Sequence, residues 1–350
     1  MGNYFDWLAE KTPTRWWHDS AIPEEILAAG KLGALGVTTN PVLTFKSFQA
    51  APDFWKDKVA AIPQTLGFEE RAEALLRLVA TFASEQFKDV FARTGGRQGL
   101  ALGQLNPSRA GDAEGMLAQA RRYHAWAPNI AIKLPATRSG VEVVESLAEE
   151  GIPICATINV SVAQALSVGE AYEKGAKRAE AAGRTPPLCL VVQQVGRLDD
   201  YLRDVARDTK SAVREEDVIL AGLAMAKRTY QIFQERKYRS IIMPAGLRGP
   251  YHVTELAGGV LTFSIHPRVQ KMILESDPAR EAKVDLPVDK GALERLLTLR
   301  EFRRAYEPDG LKPDEYLAFG VVQKLLSQFT ETGWAPLETY GSDKVSSRWT

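Results

Sequence analysis

The stretch NIAIKLP at residues 129–135 is a short apolar run with one lysine near its end. In an extended strand successive side chains point to opposite faces, so Ala131 and Lys133 share one face while Ile130 and Ile132 share the other. Further short runs of this kind lie at residues 16–19, 36–38, 100–104, 154–158, 188–192, 240–244 and 260–264. Together these runs predict eight strands.

Longer segments with helical periodicity separate the runs, at residues 68–87, 113–126, 140–149, 162–182 and 215–237. Each is long enough to cross back over a parallel sheet. Eight βα repeats favour an α/β fold of the closed (β/α)8 TIM barrel type over an open doubly wound sheet, which usually carries a Gly-rich turn after its first strand. The chain contains neither G-x-G-x-x-G nor G-x-x-x-x-G-K-[ST], so it lacks the usual nucleotide-binding signatures.

The chain is predicted to consist of a catalytic barrel over residues 1–274 and a C-terminal helical extension with a tail over residues 275–350. The strand-like runs stop before Leu274, and two helical stretches follow at residues 291–306 and 313–329. The last twenty residues resemble an extended arm or loose tail. An extra helix is expected around residues 48–61.

Composition excludes several classes of function. The 350 residues carry 44 Lys and Arg against 44 Asp and Glu, so no global positive field favours nucleic-acid or membrane partners. The N-terminus lacks an apolar signal region, which predicts a cytoplasmic protein. The two cysteines, Cys155 and Cys189, and four scattered histidines show no metal-ligand spacing, and we expect neither a metal nor a cofactor.

Polar side chains follow each predicted strand, and this is where a (β/α)8 barrel builds its active site. In chain order they are Asp19, Thr38, Thr39, Asn40, Gln104, Lys133, Thr157, Asn159, Gln193, Gln194, Arg197, Arg248 and Ser264.

Lys133 is the most informative of these residues. A barrel strand has no fully exposed face, so an ammonium group there must pair with a carboxylate or lose its proton through desolvation. A neutral amine is the nucleophile that Schiff-base chemistry requires. The alternative is that Lys133 only ends its strand and reaches water or an acidic partner.

Five motifs, taken in order, resemble the transaldolase family: GVTTNP at 36–41, IAIKLPAT at 130–137, GIPICATINVS at 151–161, VGR at 195–197 and AGLR at 245–248. WHDS at 17–20 is similar to the family's first-strand aspartate motif. The resemblance covers roughly residues 14–270. It implies a (β/α)8 barrel whose fourth strand carries the Schiff-base lysine, Lys133.

The resemblance also implies catalytic roles. Lys133 would attack the ketone of a ketose phosphate, and Asp19 would act as the general base at the C4 hydroxyl. Asn40 would hydrogen-bond the three-carbon enamine, and Thr157 would hold the water that moves protons. Each of the last three has a structural alternative: a helix cap or ion pair for Asp19, a turn for Asn40, and an ordinary strand position for Thr157.

Substrate binding is assigned by the same resemblance. Arg197 and Arg248 would grip the sugar phosphate with their fork-shaped donors, although either alone fits a surface ion pair. We further expect Thr38, Ser161 and Gln194 to contact substrate.

The chain departs from the family at four positions. Gln104 replaces the family glutamate of the proton relay, as in the related fructose-6-phosphate aldolases. Gln194 matches neither the residue usual at its position in transaldolases nor the one usual in those aldolases. Gly246 replaces a phosphate-binding serine, and Cys155 replaces an asparagine. These changes leave the donor sugar open, and the arginines also suit a carboxylate or sulfonate.

Three functions follow as hypotheses. The leading one is transfer of a dihydroxyacetone unit from a ketose phosphate to an aldose through a lysine Schiff base. The second is an aldolase that releases free dihydroxyacetone, and the third is a non-enzymatic sugar-phosphate binding or regulatory barrel with weakened catalysis. The resemblance also implies a homo-oligomer.

Overall fold

A computed structural model describes residues 2–343, in which short parallel strands alternate with helices. The strands are β1 Arg15–His18, β2 Ala101–Gln104, β3 Ile130–Pro135, β4 Ile154–Thr157, β5 Cys189–Gln193, β6 Ile241–Pro244 and β7 Thr262–Ile265. The helices in the first half are α1 Tyr4–Lys11, α2 Pro23–Lys31, α3 Pro41–Ala50, α4 Pro52–Ala60, α5 Phe68–Arg93, α6 Ala113–His124, α7 Arg138–Glu150 and α8 Val162–Ala181. Those that follow are α9 Val195–Asp208, α10 Glu215–Val218, α11 Ala221–Arg236, α12 Tyr251–Thr254, α13 Pro267–Ser276, α14 Lys290–Leu296, α15 Arg300–Tyr306, α16 Gly320–Phe329 and α17 Ala335–Thr339.

The strands close into a barrel, although one of its eight strand positions is occupied only by a short extended segment. β2 to β6 pair in parallel in sequence order, and β1 pairs with β7. Val37, within the second predicted strand, bridges His18 of β1 to Ala101 of β2, and Ile242 of β6 bridges Leu261 just before β7. The ring is therefore complete, and the predicted (β/α)8 barrel is confirmed.

The alternation predicted for residues 130–133 is confirmed on β3. Ala131 packs in the barrel interior with Trp17, Leu102 and Met243. Ile130 and Ile132 instead belong to the larger core that includes the surrounding helices. Lys133 is consequently directed into the barrel and is only 7% exposed.

Two helices occupy the region where one extra helix was expected. α3 ends at Ala50 and α4 begins at Pro52, and Ala51 between them has φ −131° and ψ 57°. Proline disfavours the helical conformation in the residue before it but is well suited to the first turn of a helix. The helix predicted around residues 48–61 is therefore present as α4, with its start at Pro52, and α3 is a further helix that the prediction did not include.

The C-terminal residues pack against the barrel helices as far as Gly341. Residues 330–339 form a π-helical turn and α17, and Trp334 is fully buried in a cluster with Phe48 and Trp55. Arg71 of α5 donates from Nε to the Tyr340 carbonyl oxygen at 2.8 Å. The predicted loose tail is thus wrong up to this point, and residues 344–350 lie outside the described chain. The division of the chain at residue 274, within α13, stays a prediction.

Candidate active site

A cavity of about 520 Å³ opens where the barrel strands end. Its polar lining residues are Asp19, Thr38, Asn40, Lys46, Lys133, Thr157, Gln194, Arg197, Arg248, Ser264, His266, Arg268 and Gln328. Eight of the ten site residues predicted from the sequence therefore meet around one space. The other two, Gln104 and Ser161, lie outside its lining.

Lys133 stands in this cavity without an acidic partner. Its Nζ lies 3.5 Å from the carbonyl oxygen of Thr39, and it forms no ion pair with any residue between 2 and 343. The carboxylate pairing considered from the sequence is thus absent from the described chain. An amine that faces a cavity without a salt bridge can approach a carbonyl carbon without first breaking an ion pair.

A chain of hydroxyl groups supports Asp19. Thr38 Oγ1 donates to Asp19 Oδ1 at 2.6 Å, and Ser264 Oγ lies 2.7 Å from Thr38 Oγ1. Because Thr38 has one hydroxyl proton and gives it to Asp19, Ser264 must be the donor in the second contact. Hydrogen bonds of this kind fix the orientation of the carboxylate.

Asn40 combines a structural position with a place in the cavity. Its Oδ1 caps α3 by accepting from the Leu43 backbone amide at 2.9 Å. Asn40 is therefore the N-cap of a helix, and Asn40-Pro41 does not form the turn suggested by the sequence. With the oxygen engaged, the Nδ2 donors are the groups that Asn40 can offer to a ligand.

Thr157, Gln194 and Gln104 surround the region next to Lys133. Gln194 Nε2 donates to Thr157 Oγ1 at 3.3 Å, which leaves the threonine proton for another acceptor. Gln104 is the parallel register partner of Lys133 and is 3% exposed. Its Oε1 is buried and has no hydrogen-bond partner among the described residues.

Arg197 and Arg248 differ in how their charges are engaged. The Arg197 guanidinium has no hydrogen-bond or ion-pair partner in residues 2–343, and burial, with the charge of Arg248, lowers its pKa. Arg248 donates from Nη2 and Nε to Asp200 at 2.5 and 3.1 Å, and from Nη1 to the Gly246 oxygen at 2.9 Å. Arg197 is therefore the more available anion ligand.

A buried carboxylate–imidazole pair holds the backbone of Arg248. His252 Nδ1 accepts from the Arg248 amide at 3.0 Å, and its Nε2 lies 3.0 Å from Asp199 Oδ2. The accepting Nδ1 requires the proton on Nε2, which then donates to Asp199. Burial raises the pKa of Asp199 despite this bond. α9 thus carries Arg197 and also fixes the loop that presents Arg248.

Two positions discussed from the sequence, Ser161 and Cys155, are buried and contribute to the structure around the cavity. Ser161 is fully buried, and its Oγ caps α8 by accepting from the Gln164 amide at 3.1 Å. Cys155, in register with Lys133, lines the cavity floor, and burial raises the pKa of its thiol to about 12. Neither side chain is a nucleophile of the proposed chemistry, and the substrate-binding role of Ser161 stays a prediction.

The sequence analysis missed several cavity residues. Lys46 and Arg268 lie within the helices that follow two of the strands, while Gln328 and Phe329 come from α16. Extending each strand by one helical turn would have included Arg268, but not Lys46, which lies in the second turn of α3. No repeat signal leads to α16, because it lies outside the βα units.

Within residues 2–343, no group of three or more His, Cys, Asp or Glu side chains is placed to hold a metal ion. In the same part of the chain, no helix has both the length and the apolar character needed to cross a bilayer.

Comparison with known proteins gives a family that covers most of the chain. The family described as Transaldolase/Fructose-6-phosphate aldolase matches residues 16–300. Proteins named Transaldolase from Neisseria gonorrhoeae and Thiobacillus denitrificans are 31% and 29% identical over 59% and 63% of this chain. The aligned region spans 58% and 64% of those relatives. A "Probable transaldolase" from Dehalococcoides mccartyi is 27% identical over 73% of this chain and 88% of its own length.

Proposed function

The chain belongs to the transaldolase/fructose-6-phosphate aldolase family, and from this premise we propose that it transfers a dihydroxyacetone unit from a ketose phosphate to an aldose. The observation that carries the proposal is Lys133, which faces the cavity without an acidic partner in the described chain and shares its walls with Asp19 and Asn40.

The reaction begins at Lys133. Its Nζ adds to the C2 carbonyl of the donor, and the carbinolamine loses water to give an iminium. We assign to Thr157 the water that carries protons in this step, and the bond from Gln194, which leaves the hydroxyl proton of Thr157 free, supports this role.

Cleavage follows from the positive charge of the iminium. Asp19 takes the C4 hydroxyl proton, the C3–C4 bond breaks, and its electrons pass to the iminium nitrogen to form an enamine. The aldose leaves, and Asn40 offers Nδ2 donors to the enamine hydroxyls. Addition of the enamine to an acceptor aldehyde, with return of the proton from Asp19, reverses these steps.

Reductive trapping tests the proposal. Incubation with fructose 6-phosphate and borohydride should attach the three-carbon unit or the ketose to the peptide that contains Lys133, and the adduct should vanish in Lys133→Ala. Lys46→Ala is the matched control, because Lys46 lines the same cavity and should leave the adduct unchanged. No adduct in the wild type contradicts the Schiff-base mechanism and favours the binding-protein alternative. An adduct that persists in Lys133→Ala contradicts the mechanism through Lys133.

The aldolase alternative rests on Gln104, whose amide can hold a water but cannot take its proton. Turnover of fructose 6-phosphate with and without erythrose 4-phosphate separates the two reactions. Strict dependence on the acceptor aldehyde supports transfer, whereas equal turnover without it supports the aldolase.

The proposal includes a cytoplasmic location and self-association. Light scattering of the purified full chain measures the latter, and a monomer at every concentration would contradict it.

A further inference from the structure

Arg268 is a cation of the cavity wall that the proposed reaction does not use. It lies in the first turn of α13, is exposed, and forms no ion pair with any other residue of the described chain. Its Nη2 lies 3.4 Å from the carbonyl oxygen of Arg248. This weak contact leaves its remaining donors open to a ligand.

The position of Arg268 in the ring places it beside the other arginines. The strands β5, β6 and β7 are neighbours in the barrel, and they are followed by Arg197, Arg248 and Arg268, respectively. Loops that follow neighbouring parallel strands lie side by side at the same end of a barrel. Lys46 also lines the cavity and forms no ion pair in residues 2–343, but it follows the short segment at Val37, which β1 separates from β7.

Formal charges show why a third arginine matters. Asp200 offsets Arg248 at 2.5 Å, so Arg197, Arg248 and Asp200 together carry one net positive charge. A phosphate monoester carries about −1.5 to −2 near pH 7. The net charge of two arginines and one aspartate therefore matches a monoanion. A third arginine raises the net charge to two, which is close to the charge needed for a dianion.

We propose that Arg268 is a third anion ligand, which makes this cavity selective for a phosphate dianion over a sulfonate or carboxylate. The inference rests on the proposed function for its ketose donor, but the anion site itself is defined by the three arginines. On binding, the guanidinium of Arg268 leaves the Arg248 carbonyl and donates to the phosphate oxygens.

The test compares Arg268→Gln with the wild-type protein at one pH near 7.5. Calorimetric titration with inorganic phosphate should show about tenfold weaker binding in the variant, as expected for loss of a charge-assisted hydrogen bond. Titration with methanesulfonate, a monoanion, should change by about twofold or less. The KM for fructose 6-phosphate should rise about tenfold with kcat nearly unchanged, because Arg268 does not touch the reacting carbons.

Two variants control for general loss of charge. Lys271→Gln removes a cation from the same helix at a residue 76% exposed that does not line the cavity, and it should leave both titrations unchanged. Lys46→Gln should weaken phosphate far less than Arg268→Gln does. Unchanged phosphate binding in Arg268→Gln, an equal loss for both anions, or a larger loss in Lys46→Gln would overturn the inference.

These outcomes are separable from the proposed function. If borohydride trapping fails while phosphate binding depends on Arg268, the anion site stands and the Schiff-base mechanism is wrong. If trapping labels Lys133 but phosphate binding is independent of Arg268, only this inference is wrong.

Discussion

Asp200 pairs with Arg248, and in the proposed anion site it competes with the ligand for this arginine. Burial raises the pKa of Asp200, but hydrogen bonds and charge from Arg248 and Arg203 outweigh burial and hold the pKa below its ordinary value. The aspartate is consequently ionised under ordinary conditions, and it competes with a bound anion for Arg248.

Asp200→Asn should lower the KM for fructose 6-phosphate about threefold, which corresponds to the modest energy of a partly exposed ion pair. The asparagine keeps the shape of the side chain and removes the competing charge. Asp204→Asn is the matched control, since Asp204 lies on the same helix and pairs with Lys324 at 2.8 Å. A higher KM in Asp200→Asn would show that the aspartate mainly orients Arg248.

Gln104→Glu should shift the products from free dihydroxyacetone toward transfer. A carboxylate at this buried position can take a proton from a water, whereas the amide can only orient it. The measurement is the ratio of transfer to cleavage at fixed donor and acceptor concentrations. An unchanged ratio would remove Gln104 from the choice between the two reactions.

The sequence predicts a site residue well where the strand itself sets its direction. Asp19, Lys133 and Thr157 reach the cavity because side chains alternate along a strand and parallel strands end at one side of the barrel. Ser264 was noticed only as the end of a strand, since its contact with Thr38 joins residues far apart in the chain. Arg268 lies just beyond β7 in the first turn of α13, where strand alternation no longer sets the direction of a side chain.

At the scale of elements, the helices and strands follow from periodicity but their ends follow from single residues. α7 begins where Thr137 Oγ1 accepts from the Gly140 amide at 3.1 Å, and it is followed by Gly151 at φ +80°. A left-handed residue after a helix is usually glycine. Pro52 likewise sets a helix boundary, between α3 and α4, and the prediction of one helix does not take it into account.

Arg71→Met should loosen the segment after α16. Arg71 is 1% exposed and donates to the carbonyl oxygens of Tyr340 and Gly341, which lose these partners in the variant. We expect a loss of about 1–3 kcal/mol in unfolding free energy and faster proteolysis after residue 330. Arg77→Met, an exposed position on the same helix, is the control. Equal proteolysis of wild type and Arg71→Met would contradict this role of Arg71.

The whole molecule has no net charge, yet several of its cations are grouped around one cavity. The chain has 44 basic and 44 acidic residues, so the anion binding that we propose relies on the local arrangement of Arg197, Arg248 and Arg268 rather than on a general positive field. The neutral net charge follows from composition alone, whereas the grouping of the three arginines depends on the fold after β5, β6 and β7.

The whole fold should lose stability in acid partly through His18. Burial lowers the pKa of His18 from 6.5 to about 4. Between these values the unfolded chain binds more protons, so the free energy of unfolding should fall as the pH is lowered from about 6.5 to about 4. The full effect of this group is up to about 3 kcal/mol.

Urea unfolding across this pH range measures the effect. His18→Gln should flatten the slope, whereas His124→Gln, outside the barrel interior, should leave it nearly unchanged. The same slope in wild type and His18→Gln would show that other groups determine the acid sensitivity.

The placement of Gln328 and Phe329 has a consequence for the order in which the molecule is made. Every strand of the described barrel precedes these residues in the chain, yet they form part of the cavity wall. Because the chain is synthesised from its N-terminus, β1 to β7 are all made before α16. The cavity around Lys133 therefore gains this part of its wall only after α16 has been made and has packed against the barrel.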